Sequence, residues 1–364
     1  MKMDKSKSRY TGCLLGLAMG DAMGYTVDDK TWERIQENYG PNGLLGYDLQ
    51  NDYAEVTSYT QVAAYYANAL LLAVTRNKPD SYVRYITMAM REWAKRQHFP
   101  RDPGKSWCWV SQKPPLRRRH CRDPWMLDAM RFENLGTMQK PINNADSPGA
   151  ITGAAAVALF YKPGRLEPAQ VGMLTANAIA LTHGNPDSWL SGVVLAYGLA
   201  GILQEPERTI GEQFLQAADV MEHQFGGRFA QAGQIAEKVR QTVELAQTNT
   251  EGHRTAIENF RCDTASQCLQ GAIYASMVCP EDFDMAMILA VNHSGRSAAV
   301  GAIAGAILGA KYGEKALPAF YMECLEPAEL LKELADDLYH GCTMEKGNKL
   351  YDLDWDRKYL HGGR

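Results

Sequence analysis

The stretch LAVNHSGRSAAVGAIAGAILGA, residues 289–310, carries a single charge, Arg296. Beyond a polar break at Asn292–Gly295 it is built almost wholly from Ala, Gly and aliphatic residues. Side chains that small let helix backbones approach closely, and a helix made of them suits burial on every side rather than a place on the surface. The segments 150–159 and 176–203 are crowded with Ala and Gly in the same way. Working outward, apolar residues recur at helical spacing over 10–24, 57–75, 80–97, 147–161, 168–182, 186–203, 209–224, 228–247, 263–278, 281–291, 296–311 and 327–339. Strand-like alternation is nearly absent. The pattern predicts an all-α, compact helical globule, one domain over 1–364, with a loop-rich insertion or flap at 98–124 and a C-terminal tail at 340–364.

With 364 residues, 46% hydrophobic and 22% charged, the chain can bury a large core. A net charge of −4 gives no bulk attraction to nucleic acid or anionic lipid, so neither is expected as a partner. Lys2, Lys5 and Lys7 before the apolar run Cys13–Met19 imitate a secretory leader, but Asp21 interrupts the run too early. No 18 uninterrupted apolar residues occur, so no membrane span is expected. The eight cysteines form no CxxC pair and read as reduced core residues of a cytoplasmic protein.

Five stretches carry candidate chemistry. In GLAMGDAMGYTVDD (16–29) the glycines at 12, 16, 20 and 24 lay a flat strip along one helix face, and Asp21 within it needs hydrogen-bond partners if buried. One such role is to cap a neighbouring helix. Asp28 and Asp29, just past that helix, read as exposed. In VTSYTQ (56–61), Thr57 or Ser58 is a natural N-cap, followed by Tyr59, and such an end offers free amides to an anion. NNADSPGAI (143–151) is another polar turn entering a small-residue helix, with Asn144, Ser147 and Gly149 at its tip. In ALTHGNPD (180–187), His183 ends one helix and Asn185-Pro186 opens the next.

The fifth stretch is the opening one. Arg296 lies at a helix start, the end whose dipole repels cations, so it requires a counter-charge: a carboxylate from another segment, or a bound anion. Asn292, Gly295 and Ser297 flank it. Elsewhere, Asp123-Pro124 reads as a cap and first-turn pair, and Arg117-Arg118-Arg119 beside Trp107 and Trp109 as a solvated face or contact surface. Asp352, Asp354 and Asp356 lack the Gly and Glu of a calcium loop and read as a solvated tail. No GxSxG, HExxH or P-loop pattern occurs.

Taken in order, GCLLGLAMGDAMG (12–24), NNADSPGAITGAAAVAL (143–159), IALTHGNPDSWLSG (179–192) and VNHSGRSAAVGAIAGAILGAKYG (291–313) resemble the ADP-ribosylglycohydrolase family. That group includes the dinitrogenase-reductase-activating glycohydrolases and the ADP-ribosylarginine hydrolases. The resemblance spans Gly12 to about Pro318. It implies an all-α fold with a cleft that binds ADP-ribose beside two magnesium ions, held by acidic motifs opening one early and one late helix.

At the aligned positions this sequence has Thr57-Ser58-Tyr59-Thr60 and Gly295-Arg296-Ser297-Ala298, and all four carboxylates are gone. Hard cations need oxygen ligands, chiefly carboxylates, so no metal or other cofactor is expected. Asp28 aligns with the family's acidic residue after the glycine ladder and is the candidate catalytic base. The expected ligand-binding set is Thr57, Ser58, Tyr59, Asn144, Ser147, Gly149, His183, Asn292, Gly295, Arg296, Ser297 and Tyr312, with Arg296 in contact with a diphosphate in place of metal. The resemblance thus implies a pseudo-hydrolase that binds ADP-ribose, a related nucleotide, or an ADP-ribosylated or ADP-ribosylating protein. Two other readings stand beside it: a metal-independent N-glycosidic hydrolase using Asp28, and a protein-interaction or structural role without small ligand, with 98–124 as the contact surface.

Overall fold

In a computed structural model of the chain, residues 5–49, 52–100, 105–162, 165–342, 344 and 351–363 are described. Among them are seventeen α-helices and no strand beyond an isolated bridge between Ala54 and Leu325. The first half holds α1 (Lys5–Val27), α2 (Trp32–Tyr39), α3 (Ser58–Thr75), α4 (Tyr82–His98), α5 (Pro124–Ala129), α6 (Gly153–Phe160), α7 (Pro168–Ala180) and α8 (Pro186–Gln204). The second half holds α9 (Ile210–Phe225), α10 (Gln231–Thr248), α11 (His253–Asn259), α12 (Ala265–Val278), α13 (Phe283–Val291), α14 (Ser297–Tyr312), α15 (Ala319–Cys324), α16 (Ala328–His340) and α17 (Leu353–Tyr359). The all-α expectation holds. Short α2, α11, α15 and α17 carry too few turns to show a period in the sequence.

The central feature is an antiparallel seam between α1 and α14. A Cβ added to Gly16 would lie 2.2 Å from the Gly305 carbonyl oxygen, and one added to Gly20 would lie 1.9 Å from that of Gly301. Gly12 faces Gly309 and Gly24 faces Ser297 in the same register. No residue larger than glycine fits between backbones this close. The register has a consequence at its end: it delivers the residues after α1, Asp28 and Asp29, to the start of α14.

Around the seam the core is continuous. In α3, Tyr59, Tyr65 and Tyr66 are fully buried, and α7, α8 and α9 pack in sequence beside α6. α8 is the one described helix long and apolar enough to cross a membrane by length and composition, yet Ser188–Ala196 are buried without a break among its neighbours. All eight cysteines are free, five of them buried.

Two expectations are corrected. The helix expected over 147–161 begins at Gly153, because residues 148–152 are consumed in turns that place Thr152 and Gly149 against neighbours. The C-terminal tail is only partly solvated at 352–356: Asp354 is exposed, but Asp352 caps α17, Trp355 donates from Nε1 to Thr75 Oγ1 at 2.9 Å, and Tyr359 donates to Asp337 Oδ2 at 2.7 Å. Within the 98–124 stretch, the described residues 105–123 form a loop with 3₁₀ turns at Trp109–Gln112 and Pro114–Arg117. The Glu92 carboxylate holds it, accepting from the amides of Trp107 (2.7 Å) and Cys108 (3.3 Å) and from the hydroxyls of Ser106 and Ser111.

Candidate functional site

Thr57 caps α3, its hydroxyl accepting from Tyr59 N at 3.3 Å. Behind it stands Asp21, fully buried in the middle of the seam helix. Its carboxylate accepts from Thr57 N (2.9 Å), Thr57 Oγ1 (2.6 Å), Thr60 N (3.0 Å) and Thr60 Oγ1 (2.6 Å). Burial pushes its pKa up to about 6, against the pull of those four donors. Asp21 is therefore the cap of a neighbouring helix. Ser58 is also engaged inside the protein, its amide donating to His120 O and its hydroxyl accepting from Arg122 N, both at 3.0 Å. The Tyr59 carbonyl accepts from Thr152 Oγ1 at 2.7 Å.

The opening of α14 answers the question that Arg296 raises. Asp28 caps its first turn, Oδ1 accepting from Ala298 N at 3.0 Å, while Oδ2 accepts from Arg122 Nε at 2.8 Å. Asp28 is buried, not exposed as its place past the helix suggests, because the seam carries it under the next helix. Burial raises its pKa, opposed by Arg122 and the Ala298 amide. Asp29 is exposed, and its carboxylate lies between Arg122 Nη2 and Arg296 Nη1, the latter at 3.2 Å. The counter-charge of Arg296 is thus an acid of the same protein. Gly295 is fixed by close approach to the Arg261 carbonyl, and Ser297 donates to His293 O at 3.3 Å. His293 accepts at Nδ1 from Gly295 N, and burial lowers its pKa to about 4, so it is neutral at pH 7.

Asp123 gathers the third group. It caps α5 through Trp125 N at 3.0 Å, accepts from the Ser147 hydroxyl, and sits 3.1 Å from His183 Nε2. Burial alone would raise its pKa, but His183, Ser147 and the Trp125 amide outweigh that and hold it near 2. Gly149 packs so tightly on Asp123 that a Cβ would lie 2.4 Å from Oδ2. Asn144 is exposed and accepts from Asn185 Nδ2 at 3.2 Å. The adjacent residues Arg122 and Asp123 thus link the α14 opening to the 143–149 turn.

Two expected residues lie elsewhere. Asn292 is buried and holds a loop, its side chain accepting from Leu44 N at 2.8 Å and donating to Leu44 O at 2.9 Å. Tyr312 ends α14, which places it roughly 22 Å along the helix axis from the site at a rise of about 1.5 Å per residue.

Beside Asp28 and Arg122 opens a cleft of about 360 Å³ walled by Tyr25, Tyr39, Tyr47 and Tyr53. Lys30, Asp48 and Glu55 complete its polar lining. Asp28 is the one member of the expected site set that borders it. The Tyr25 ring has the Arg122 guanidinium 5.5 Å from its centroid and the His120 ring at 5.3 Å. Glu55 is held by Arg118 Nη1 at 2.9 Å, and Arg118 also pairs with Glu326. Sequence reasoning missed Arg122. Nothing local marks it among the arginines of this stretch, and the single available signal is its place next to the Asp123-Pro124 cap. Among the described residues no three His, Cys, Asp or Glu side chains converge as a metal site.

Comparison with known proteins gives three findings. The ADP-ribosylglycohydrolase family model matches residues 2–348. An uncharacterised protein of Archaeoglobus fulgidus is 23% identical over 342 residues, covering 92% of this chain and 96% of its own length. A solved structure described as an ADP-ribosylglycohydrolase-related protein complex aligns with a TM-score of 0.54 at 22% identity, over 92% of this chain and 98% of that one. At that identity the likeness is one of fold.

Proposed function

The chain belongs to the ADP-ribosylglycohydrolase family, and from that premise we propose that it is a non-hydrolysing member that binds an ADP-ribose-related ligand, free or on a protein, without divalent metal. The observation that carries this reading is the opening of α14, where Arg296 stands with Asp29, and Arg122 with Asp28. Two divalent cations need several unengaged anionic oxygens. At the two helix openings the available donors are hydroxyls already used inside the protein, Asp21 with four donors on its carboxylate, Asp28 with both oxygens occupied, and a single exposed carboxylate, Asp29, paired with two guanidinium groups. Two guanidinium groups, of Arg122 and Arg296, converge on Asp29 at the same opening, and their repulsion of a cation adds to the misfit. The donor set does not fit a magnesium pair.

What supports ligand binding is charge and shape: a tyrosine-walled cleft bordered by Arg122 and Lys30, of a size at the lower end of small-molecule sites. A metal-independent hydrolase using Asp28 is supported by that residue's place on the cleft wall, but its two oxygens must first shed Arg122 and the Ala298 amide. A contact surface at 98–124 is supported by exposed Trp107 and Arg119 but not by Trp109, which is buried, and Arg118 is already paired with Glu55 and Glu326.

The test is thermal unfolding with ADP-ribose, in magnesium and in chelator, beside an assay for ADP-ribose release from a modified arginine. The expected outcome is equal stabilisation in both buffers, about 2.7 kcal/mol at a hundredfold excess over Kd, with no release. Magnesium-dependent release, or two magnesium ions bound per chain, defeats the reading. Release that persists in chelator and vanishes in Asp28→Asn selects the Asp28 hydrolase instead.

A further inference from the structure

Arg122 and Arg296 come from segments far apart in the chain, yet both guanidinium groups end on the carboxylate of Asp29. They are not equally supplied with counter-charge. Asp28 is buried and spent on Arg122 Nε and the Ala298 amide, so the acid available to Arg296 is Asp29. Asp29 is a poor permanent partner. Its side chain is 55% exposed; its backbone takes φ = 61°, a left-handed conformation that glycine, asparagine and aspartate adopt most readily. An exposed pair of this kind contributes little to stability and exchanges readily with other ions. A phosphoryl group brings up to two charges and three oxygens, and guanidinium groups grip such oxygens in a two-pronged geometry that a lone carboxylate does not fully exploit.

The surroundings suit that exchange. Arg122 is shared between this point and the tyrosine-walled cleft. On the same cleft wall the Lys30 ammonium donates to the Thr26 carbonyl and, among the described residues, pairs with no carboxylate. Three cationic side chains therefore border one region; of its carboxylates, Asp28 is spent on Arg122 and Ala298, Glu55 on Arg118 and Asp48 on the Tyr39 hydroxyl, which leaves Asp29 as the exposed acid that can leave it.

We propose that Arg122 and Arg296 form an exchangeable anion site: Asp29 occupies it in the free protein, and the phosphoryl group of a phosphorylated sugar ligand displaces Asp29 while the sugar lies in the tyrosine-walled cleft. This rests on the reading that the family cleft still takes an ADP-ribose-related ligand, and it adds Arg122 and Asp29 to that reading.

The probe is inorganic pyrophosphate, titrated calorimetrically at matched ionic strength, with ADP-ribose run in parallel. Asp29→Asn and Asp29→Gly remove the competing carboxylate, and both residues tolerate the left-handed backbone, so either suffices if the other folds poorly. The expected result is pyrophosphate binding about tenfold tighter in these variants than in the wild type, and at least about tenfold weaker in Arg296→Gln. Unchanged or weaker binding in both Asp29 variants, or no binding of pyrophosphate to any form, overturns the proposal. The two readings fail separately. Pyrophosphate binding that responds to Asp29 without any ADP-ribose binding removes the functional reading and keeps the anion site; ADP-ribose binding indifferent to Asp29 and Arg296 does the reverse.

Discussion

The first turns of α3 and α14 are both capped by an aspartate of one segment, Asp21 and Asp28, seven residues and so about two helical turns apart. The surroundings differ. Asp21 is enclosed, receives four bonds from the backbone and hydroxyls of two threonines, and meets no cation. Asp28 receives one amide and one guanidinium, and a half-exposed network of Asp29, Arg122 and Arg296 continues from it toward solvent. The contrast teaches that the same cap can be a lock or a hinge point for ligand charge. Neutral donors from one helix hold a carboxylate permanently, whereas charged donors from distant loops leave an exchangeable partner at the rim.

The comparison breaks most visibly at the lock. Asp21→Ala orphans four buried donors, and urea unfolding should show a loss of about 3–5 kcal/mol, with a smaller loss for Asp21→Asn. The lock also carries a pH signature. Its pKa is about 6 folded against 3.8 for a free aspartate, so the stability linked to its proton is fully present below about pH 4 and is lost as pH rises through 6. The stability difference between wild type and Asp21→Asn should therefore shrink across that window, and a flat difference would contradict the assigned burial effect.

The rim should respond less. Arg122→Gln leaves Asp28 buried with one partner and should cost about 2–3 kcal/mol by the same measurement, since Arg122 is itself partly exposed. Arg296→Gln breaks an exposed pair and should cost under about 1 kcal/mol while abolishing most anion binding. A large stability loss there would make Arg296 a structural residue and erase the contrast. At the far end of α14, Tyr312→Ala should leave the ligand-induced rise in Tm unchanged, which checks that position along the helix and not helix membership defines the site.

Legibility in the sequence followed the range of the interactions. The glycine ladder at 12–24 announced a close helix contact, but not that its partner is α14 or that the register pairs Gly16 with Gly305. Thr57, Asp123 and Asn185 were legible as caps because a cap acts on the next turn of its own chain. Asp28 was legible as a candidate and misjudged as exposed, since its burial is produced by a helix some 270 residues later. Arg122 was not legible, because its partners come from the end of α1 and its neighbours give no clue to their direction.

By itself, the sequence determined the helical class, the caps and the close-packing helices, because these depend on spacing and on the chemistry of single residues. The tertiary structure decided which charges meet. Antiparallel docking of α1 on α14, with no side chains between the glycines, brings Asp28 and Asp29 to Arg296, and the loop held by Glu92 brings Arg122. Electrostatic partners are set by distance in space, and distance in space is fixed only once the helices have packed.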